Sequence, residues 1–213
     1  MDLKELKKIY ERIRPTIEKR LEEFKELYKS SDDPRVFAEM AFCLLTPQSK
    51  AKVCWAAIEK LIKSGTLYTG DQKEILKYLK GVRFSERKAQ YIVLARDVFF
   101  DGKKWNLKSF IDSFNDAFDL REWLVENIKG YGYKEASHFL RNIGKGENLA
   151  ILDRHILKNL ALFGVIPEIP KSLSKSRYLY IEDKMREFSK EIGIPMDHLD
   201  LLLWYKEAGE VFK

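Results

Sequence analysis

The sequence predicts an all-α protein. Apolar residues recur at three-to-four spacing along most of the chain, capping residues and glycines punctuate those stretches at helical lengths, and no segment alternates with the two-residue period of a half-buried strand. Heptads sustained over several turns, low-complexity tracts and repeats of solenoid period are all absent from the sequence.

Leu3, Leu6, Tyr10, Ile13, Ile17, Leu21, Phe24 and Tyr28 form one stripe, so the first 29 residues read as an amphipathic helix. Proline lacks a backbone N–H and crowds the preceding turn, so this helix is expected to bend or break at Pro15. Ser31-Asp32-Asp33-Pro34 supplies a capping aspartate with proline at the helix start. It opens a core helix carrying Val36, Phe37, Met40, Ala41, Leu44 and Leu45. A third helix is predicted over about 50–63, and Asp71 with Glu74 has capping-box spacing for a fourth that ends near Gly81. Ser85 starts a fifth. Residues 65–70 and 100–104 read as connectors, too short to link independent modules. Helical periodicity resumes over 108–114, 120–128 and 134–142, with Gly130, Gly132 and Gly144 as breaks.

A chain of 213 residues is long enough to bury a core without disulfide staples. Its two cysteines, Cys43 and Cys54, sit among apolar residues, which suits buried reduced thiols and excludes a four-cysteine iron–sulfur or zinc cluster. Three scattered histidines imply no metal site, and His138 reads as packed or solvated. No apolar run approaches the roughly 20 residues of a membrane span, and the N-terminus is charged throughout rather than built like a signal peptide. The expectation is a soluble, cytoplasmic protein, nucleoid-associated in a prokaryote. A formal charge of +6 favours polyanions without deciding the partner. Abundant Lys and Glu with only three Gln lean toward a thermophilic source.

Chemistry concentrates between Leu124 and Gly144. Two helices flank Lys129-Gly130-Tyr131-Gly132, a turn whose glycines let the backbone approach a phosphate while the amides opening the second helix face the anion. Taken alone, such a turn reads more readily as an ordinary tight connection between core helices. Residues 128–136, however, resemble the hairpin of helix-hairpin-helix base-excision DNA glycosylases. In that family the lysine two residues after the second hairpin glycine is the nucleophile of bifunctional members, and an aspartate follows about twenty residues later. Lys134 and Asp153 match both positions.

The resemblance spans roughly residues 35–213. Leu152-Asp153-Arg154-His155 is similar to the 8-oxoguanine branch, which implies that His155 holds a lesion-side phosphate. Leu45-Thr46-Pro47-Gln48-Ser49 resembles the segment that fills the hole left by the extruded base, with Gln48 as the plug; a solvated helix end is the other reading. Leu199-Asp200-Leu201, Trp204-Tyr205 and the final Lys213 resemble the ending of the smaller archaeal-type enzymes. The base pocket is therefore expected to use Trp204 as stacking platform, Asp200 one turn earlier as hydrogen-bonding group, and Lys213 through its carboxylate or amine. The implied architecture is two packed helical lobes with the cleft between them: residues 1–32 plus 135–213 as a discontinuous terminal lobe, and 33–134 as a helical bundle ending in the hairpin.

The residue chemistry suits the reaction. An amine attacks sugar C1′ only when unprotonated, so Lys134 needs desolvation, a neighbouring cation such as Lys129, or the helix N-terminus on which it sits. Asp153 is placed to stabilise the positive charge that builds on the sugar, and the same residue reads as an N-cap, a compatible role. The leading expectation is a glycosylase that excises 8-oxoguanine from double-stranded DNA and then nicks the abasic site by β-elimination, acting as a monomer, with no membrane partner and no cofactor. A weakly bound cation on the hairpin carbonyls, typical of the family, counts as structural. Two alternatives stay open: a non-catalytic module that grips the DNA backbone, which has no need of a paired lysine and aspartate, and a glycosylase for another lesion such as thymine glycol.

Overall fold

The computed structural model describes residues 2–213, which form twelve helices and no sheet, with one isolated bridge between Phe100 and Trp105. In order these are α1 (Leu3–Ser30), α2 (Asp33–Leu45), α3 (Ala51–Ser64), α4 (Thr66–Thr69), α5 (Gln72–Leu76), α6 (Ser85–Phe99), α7 (Leu107–Asp112), α8 (Ala117–Asn127), α9 (Tyr133–Asn142), α10 (Arg154–Leu162), α11 (Lys175–Ile192) and α12 (Met196–Ala208). No helix among the described residues is long and apolar enough to cross a membrane.

Most boundaries follow the caps read from the sequence. Asp32 accepts the Arg35 N–H at 3.0 Å, and Asp71 with Glu74 closes a reciprocal capping box at 2.8 Å for both bonds. Three expectations need correction. The first helix does not break at Pro15: α1 runs unbroken, with Ile13 and Ile17 buried on either side of the proline, and packing outweighs the lost backbone bond. The fourth helix stops at Leu76, not near Gly81, because Lys77, Tyr78 and Leu79 bond three residues back and tighten into turns. Residues 66–69, read as connector, make the one-turn helix α4.

Buried apolar side chains fall into two clusters, one for each helical lobe. The first is built on α2, which is buried from Val36 to Leu45, and gathers α3, α6, α8 and the apolar face of α9. The second joins the inner stripe of α1 to α10, α11 and α12. Helix α9 contributes Ala136, Phe139 and Leu140 to the first cluster, and residues 150–152 then lead into the second. A buried ion pair ties the two: Arg121 on α8 meets Glu182 on α11 in a two-pronged contact of 2.6 and 2.8 Å.

Candidate active site and nucleic-acid interface

The hairpin joins α8 to α9 through residues 128–132. Tyr131 N–H bonds back to the Ile128 carbonyl at 3.0 Å, and Gly130 takes φ +95°, a left-handed conformation that side chains resist. A Cβ at Gly130 would lie 2.3 Å from the Tyr91 ring, so only glycine fits. Gly132 precedes α9, and the Glu135 carboxylate takes its N–H at 3.2 Å. Lys129 and Gly130 are exposed, whereas the Tyr131 side chain is buried and donates its hydroxyl to the Met40 carbonyl at 2.9 Å. Tyr131 therefore presents little but its backbone at the hairpin surface.

Beside the hairpin lies a cleft of about 860 Å³ walled by the 46–53 segment, the start of α9, residues 151–156, α12 and the C-terminus. Lys134, Asp153, Gln48, His155, Asp200, Trp204 and Lys213 all line it. Lys129 and the hairpin glycines are not part of its wall.

Lys134 sits in the first turn of α9, about one-fifth exposed. Its ammonium donates to Thr46 Oγ1 at 3.1 Å and lies 3.6 Å from the Glu135 carboxylate. Asp153 is the N-cap of α10, and a single oxygen, Oδ1, accepts the N–H groups of His155 at 2.8 Å and Ile156 at 2.9 Å. Among the described residues no hydrogen-bond donor takes its other oxygen.

The other residues divide by environment. Gln48 is exposed at the rim with φ +55°. His155 packs edge-on to Trp204 at 5.3 Å, accepts from Arg154 Nε at 3.3 Å, and lies 3.8 Å from Glu207. The Trp204 indole N–H is buried with no hydrogen-bond partner among the described residues. Asp200 pairs with Arg141 at 3.2 Å; burial pushes its carboxyl up to about 6, against the pull of Arg141 and with the help of Asp153. The Lys213 ammonium turns away from solvent, pairs with the buried Glu39 carboxylate, and sits 3.5 Å from the centre of the Trp55 ring. Burial lowers its pKa, with Glu39 opposing.

The family model described as 8-oxoguanine DNA glycosylase matches residues 17–194. The chain belongs to this family. It is 47% identical to the 8-oxoguanine DNA glycosylase/AP lyase of Fusobacterium nucleatum over 98% of this chain and 96% of that one. It is 43% identical to the Methanocaldococcus jannaschii protein of the same description, over 94% and 93%. In three dimensions it is similar to the 8-oxoguanine DNA glycosylase of Thermotoga maritima, with TM-score 0.88 and 40% identity over 99% of this chain and 98% of that one. It matches the M. jannaschii glycosylase/lyase, solved with a 15mer DNA containing 8-oxoguanine, with TM-score 0.89 and 39% identity over 99% of each chain.

Three features in or beside this cleft carried no clear signal in the sequence. His138, one turn after Lys134, is packed rather than solvated, but it also lines the cleft, edge-on to Phe42 at 5.6 Å. Neither ring nitrogen makes a hydrogen bond; the Lys213 backbone approaches the ring without bonding geometry. Burial, reinforced by Lys134 and Arg141, holds its pKa well below the usual range, so the ring is neutral. Phe84 stands half exposed just before α6 with φ +57°, its ring under the Arg83 guanidinium. Lys88, on α6, is buried against the 45–49 segment. In sequence Phe84 was visible as an aromatic in a turn, but nothing separated Lys88 from the other charges of Ser85-Glu86-Arg87-Lys88.

Proposed function

We propose that this chain flips 8-oxoguanine out of duplex DNA, excises it through Lys134, and cleaves the abasic strand by β-elimination. The carrying observation is that Lys134, from the hairpin helix, and Asp153, from the cap of α10, line one cleft large enough for a base. A module that only grips the backbone has no use for that pairing, and the curated relatives above are glycosylase/lyases.

The hairpin backbone and Lys129 hold phosphates, and His155 holds one on the lesion side. Extrusion places the base against Trp204, where the unpaired Trp204 N–H, the neutral His138 ring, Asp200 and the C-terminal Lys213 offer hydrogen bonds. Gln48 enters the vacated hole and Phe84 wedges the opposite strand. The unprotonated Lys134 amine attacks C1′ as the glycosidic C–N bond breaks and the base leaves with a proton. Asp153 stabilises the positive charge on the sugar during this step. Proton transfer to the ring oxygen opens the sugar to a Schiff base on Lys134. Loss of a C2′ proton then expels the 3′ phosphate, and hydrolysis of the imine frees the lysine. Glu135, whose carboxylate lies 3.6 Å from the ammonium, is the group that takes the proton Lys134 sheds before attack, while Thr46 Oγ1 only accepts a hydrogen bond from it.

The lobe boundaries follow the same reading: 1–32 plus 135–213 against 33–134, with α9 packing its apolar face into the first cluster. The enzyme works in the compartment that holds the genome, the cytoplasm and, in a prokaryote, the nucleoid.

The test is mass-spectrometric detection of free base after incubation with a duplex carrying one 8-oxoguanine. Release of 8-oxoguanine with a nicked product supports the reading. Release only from a thymine-glycol duplex moves the substrate elsewhere, and tight binding without release returns the chain to the binding-module alternative.

A further inference from the structure

Among the described residues, Gln48 and Phe84 are the two non-glycine residues with positive φ, at 55° and 57°. Strained backbone of this kind persists only where the surroundings over-determine it. The two lie 36 positions apart, yet one polar network reaches both. Lys88 Nζ donates to the Leu45 carbonyl at 2.7 Å, to the Pro47 carbonyl at 2.7 Å and to Ser49 Oγ at 3.2 Å. Ser49 Oγ in turn accepts the Arg83 N–H at 3.0 Å. Gln48 is thus bracketed by the Pro47 and Ser49 contacts, and Phe84 follows the residue tied to Ser49.

An ammonium has three N–H donors, and three acceptors take them here. Lys88 as a residue is only 4% exposed, so the ammonium makes these bonds largely out of contact with water. Thr46, enclosed by the same segment, is the hydroxyl that accepts from Lys134 Nζ at 3.1 Å.

We propose that Lys88 is a positioning residue that latches the 45–49 segment to α6, holding Gln48 and Phe84 together as the two side chains that enter the opened duplex. This rests on the reading of Gln48 as the plug. Burial, reinforced by Lys134, brings the Lys88 pKa down to about 8, which still leaves the latch mostly protonated at neutral pH.

A latch for duplex opening acts on base excision from a duplex and not on the elimination chemistry at an abasic site in a single strand, where no partner base is displaced. Lys88→Met removes the three bonds at similar length, and Lys88→Arg restores a buried cation with donors. Ser49→Ala removes the shared acceptor alone and serves if the methionine variant does not fold. Each is assayed for single-turnover excision from an 8-oxoguanine duplex, for cleavage of a single-stranded abasic oligonucleotide, and for the fluorescence of 2-aminopurine placed beside the lesion.

Misplacing the insertion residues predicts a fall of about 10- to 100-fold in duplex excision for Lys88→Met, with a smaller loss in the same direction for Ser49→Ala. Single-strand cleavage stays within about threefold, the 2-aminopurine rise on binding is lost, and Lys88→Arg recovers part of both. Equal losses on both substrates, or unchanged duplex excision in Lys88→Met and Ser49→Ala, overturn the proposal. Gln48→Ala separates this from the underlying reading. If that variant opens and excises duplex normally, the plug reading itself is wrong; if it fails while the Lys88 and Ser49 variants do not, only the latch is wrong.

Discussion

Replacing Glu182 with glutamine strips the negative charge from a buried ion pair that bridges the two apolar clusters. Arg121 and Glu182 are each 1% exposed. The guanidinium makes bonds of 2.6 and 2.8 Å to the two carboxylate oxygens and 3.2 Å to Ser137, enclosed by the rings of Phe118, Tyr133 and Tyr178. Glu182 Oε2 also accepts the Ala150 N–H at 2.7 Å, so it pins the stretch that leads to Asp153. Removing one partner leaves a guanidinium buried without its counter-charge, which costs about 3–5 kcal/mol. With an unfolding entropy of about 2.1 cal/mol/K per residue, that cost is a fall in Tm of roughly 10 °C for a chain of this size. The assay is denaturant unfolding of wild type, Glu182→Gln, Glu182→Leu, Arg121→Met and the double variant Glu182→Leu with Arg121→Met, the last compared with its own two single variants. The double variant should lose much less than the summed single losses, since no unpaired charge remains. A loss under about 1 kcal/mol in Glu182→Gln, or a double variant that simply adds the single effects, would refute the claim that the pair is a mutually dependent buried clasp.

Gly130→Ala forces a side chain into the left-handed region and against the Tyr91 ring, so stability falls by about 1–3 kcal/mol and duplex affinity falls with the hairpin's shape. Normal melting and binding in the alanine variant would contradict the close approach. Asp200, with its carboxyl raised to about 6, holds a proton in the folded state that the unfolded chain sheds near pH 4. Its contribution therefore declines as pH rises from about 4 to about 6, by up to about 3 kcal/mol, and the same slope should be missing from Asp200→Asn. Unfolding free energies measured across that range decide it; identical slopes in the two proteins would show that the proton is not held.

Much of the fold was legible because its signals are local. The Asp32 cap, the Asp71–Glu74 box and the periodic stripe of α1 are each decided within a few residues, and each helix they announce is present. Pro15 misled because the cost of an interior proline is local while the burial of Ile13 and Ile17 that outweighs it is not. Residues 77–79 misled because the choice between an α-turn and a tighter turn is small in energy and left to packing. At the site, Lys134 and Asp153 stood out through a spaced motif, and Asp153 is indeed a cap. The burial of the Lys213 ammonium, of Lys88 and of Arg121 was invisible for one shared reason: each finds its partner dozens of residues away, and an isolated lysine or arginine in a chain 34% charged carries no mark of burial.

The most direct measurement is borohydride trapping on a duplex containing a single 8-oxoguanine, run with the native chain and with Lys134→Gln. The account predicts a covalent protein–DNA adduct for the native chain and none for the variant, with the variant still binding the duplex. An adduct that persists in Lys134→Gln would move the nucleophile to another amine, and no adduct from a native chain that binds the lesion tightly would contradict the Schiff-base chemistry altogether.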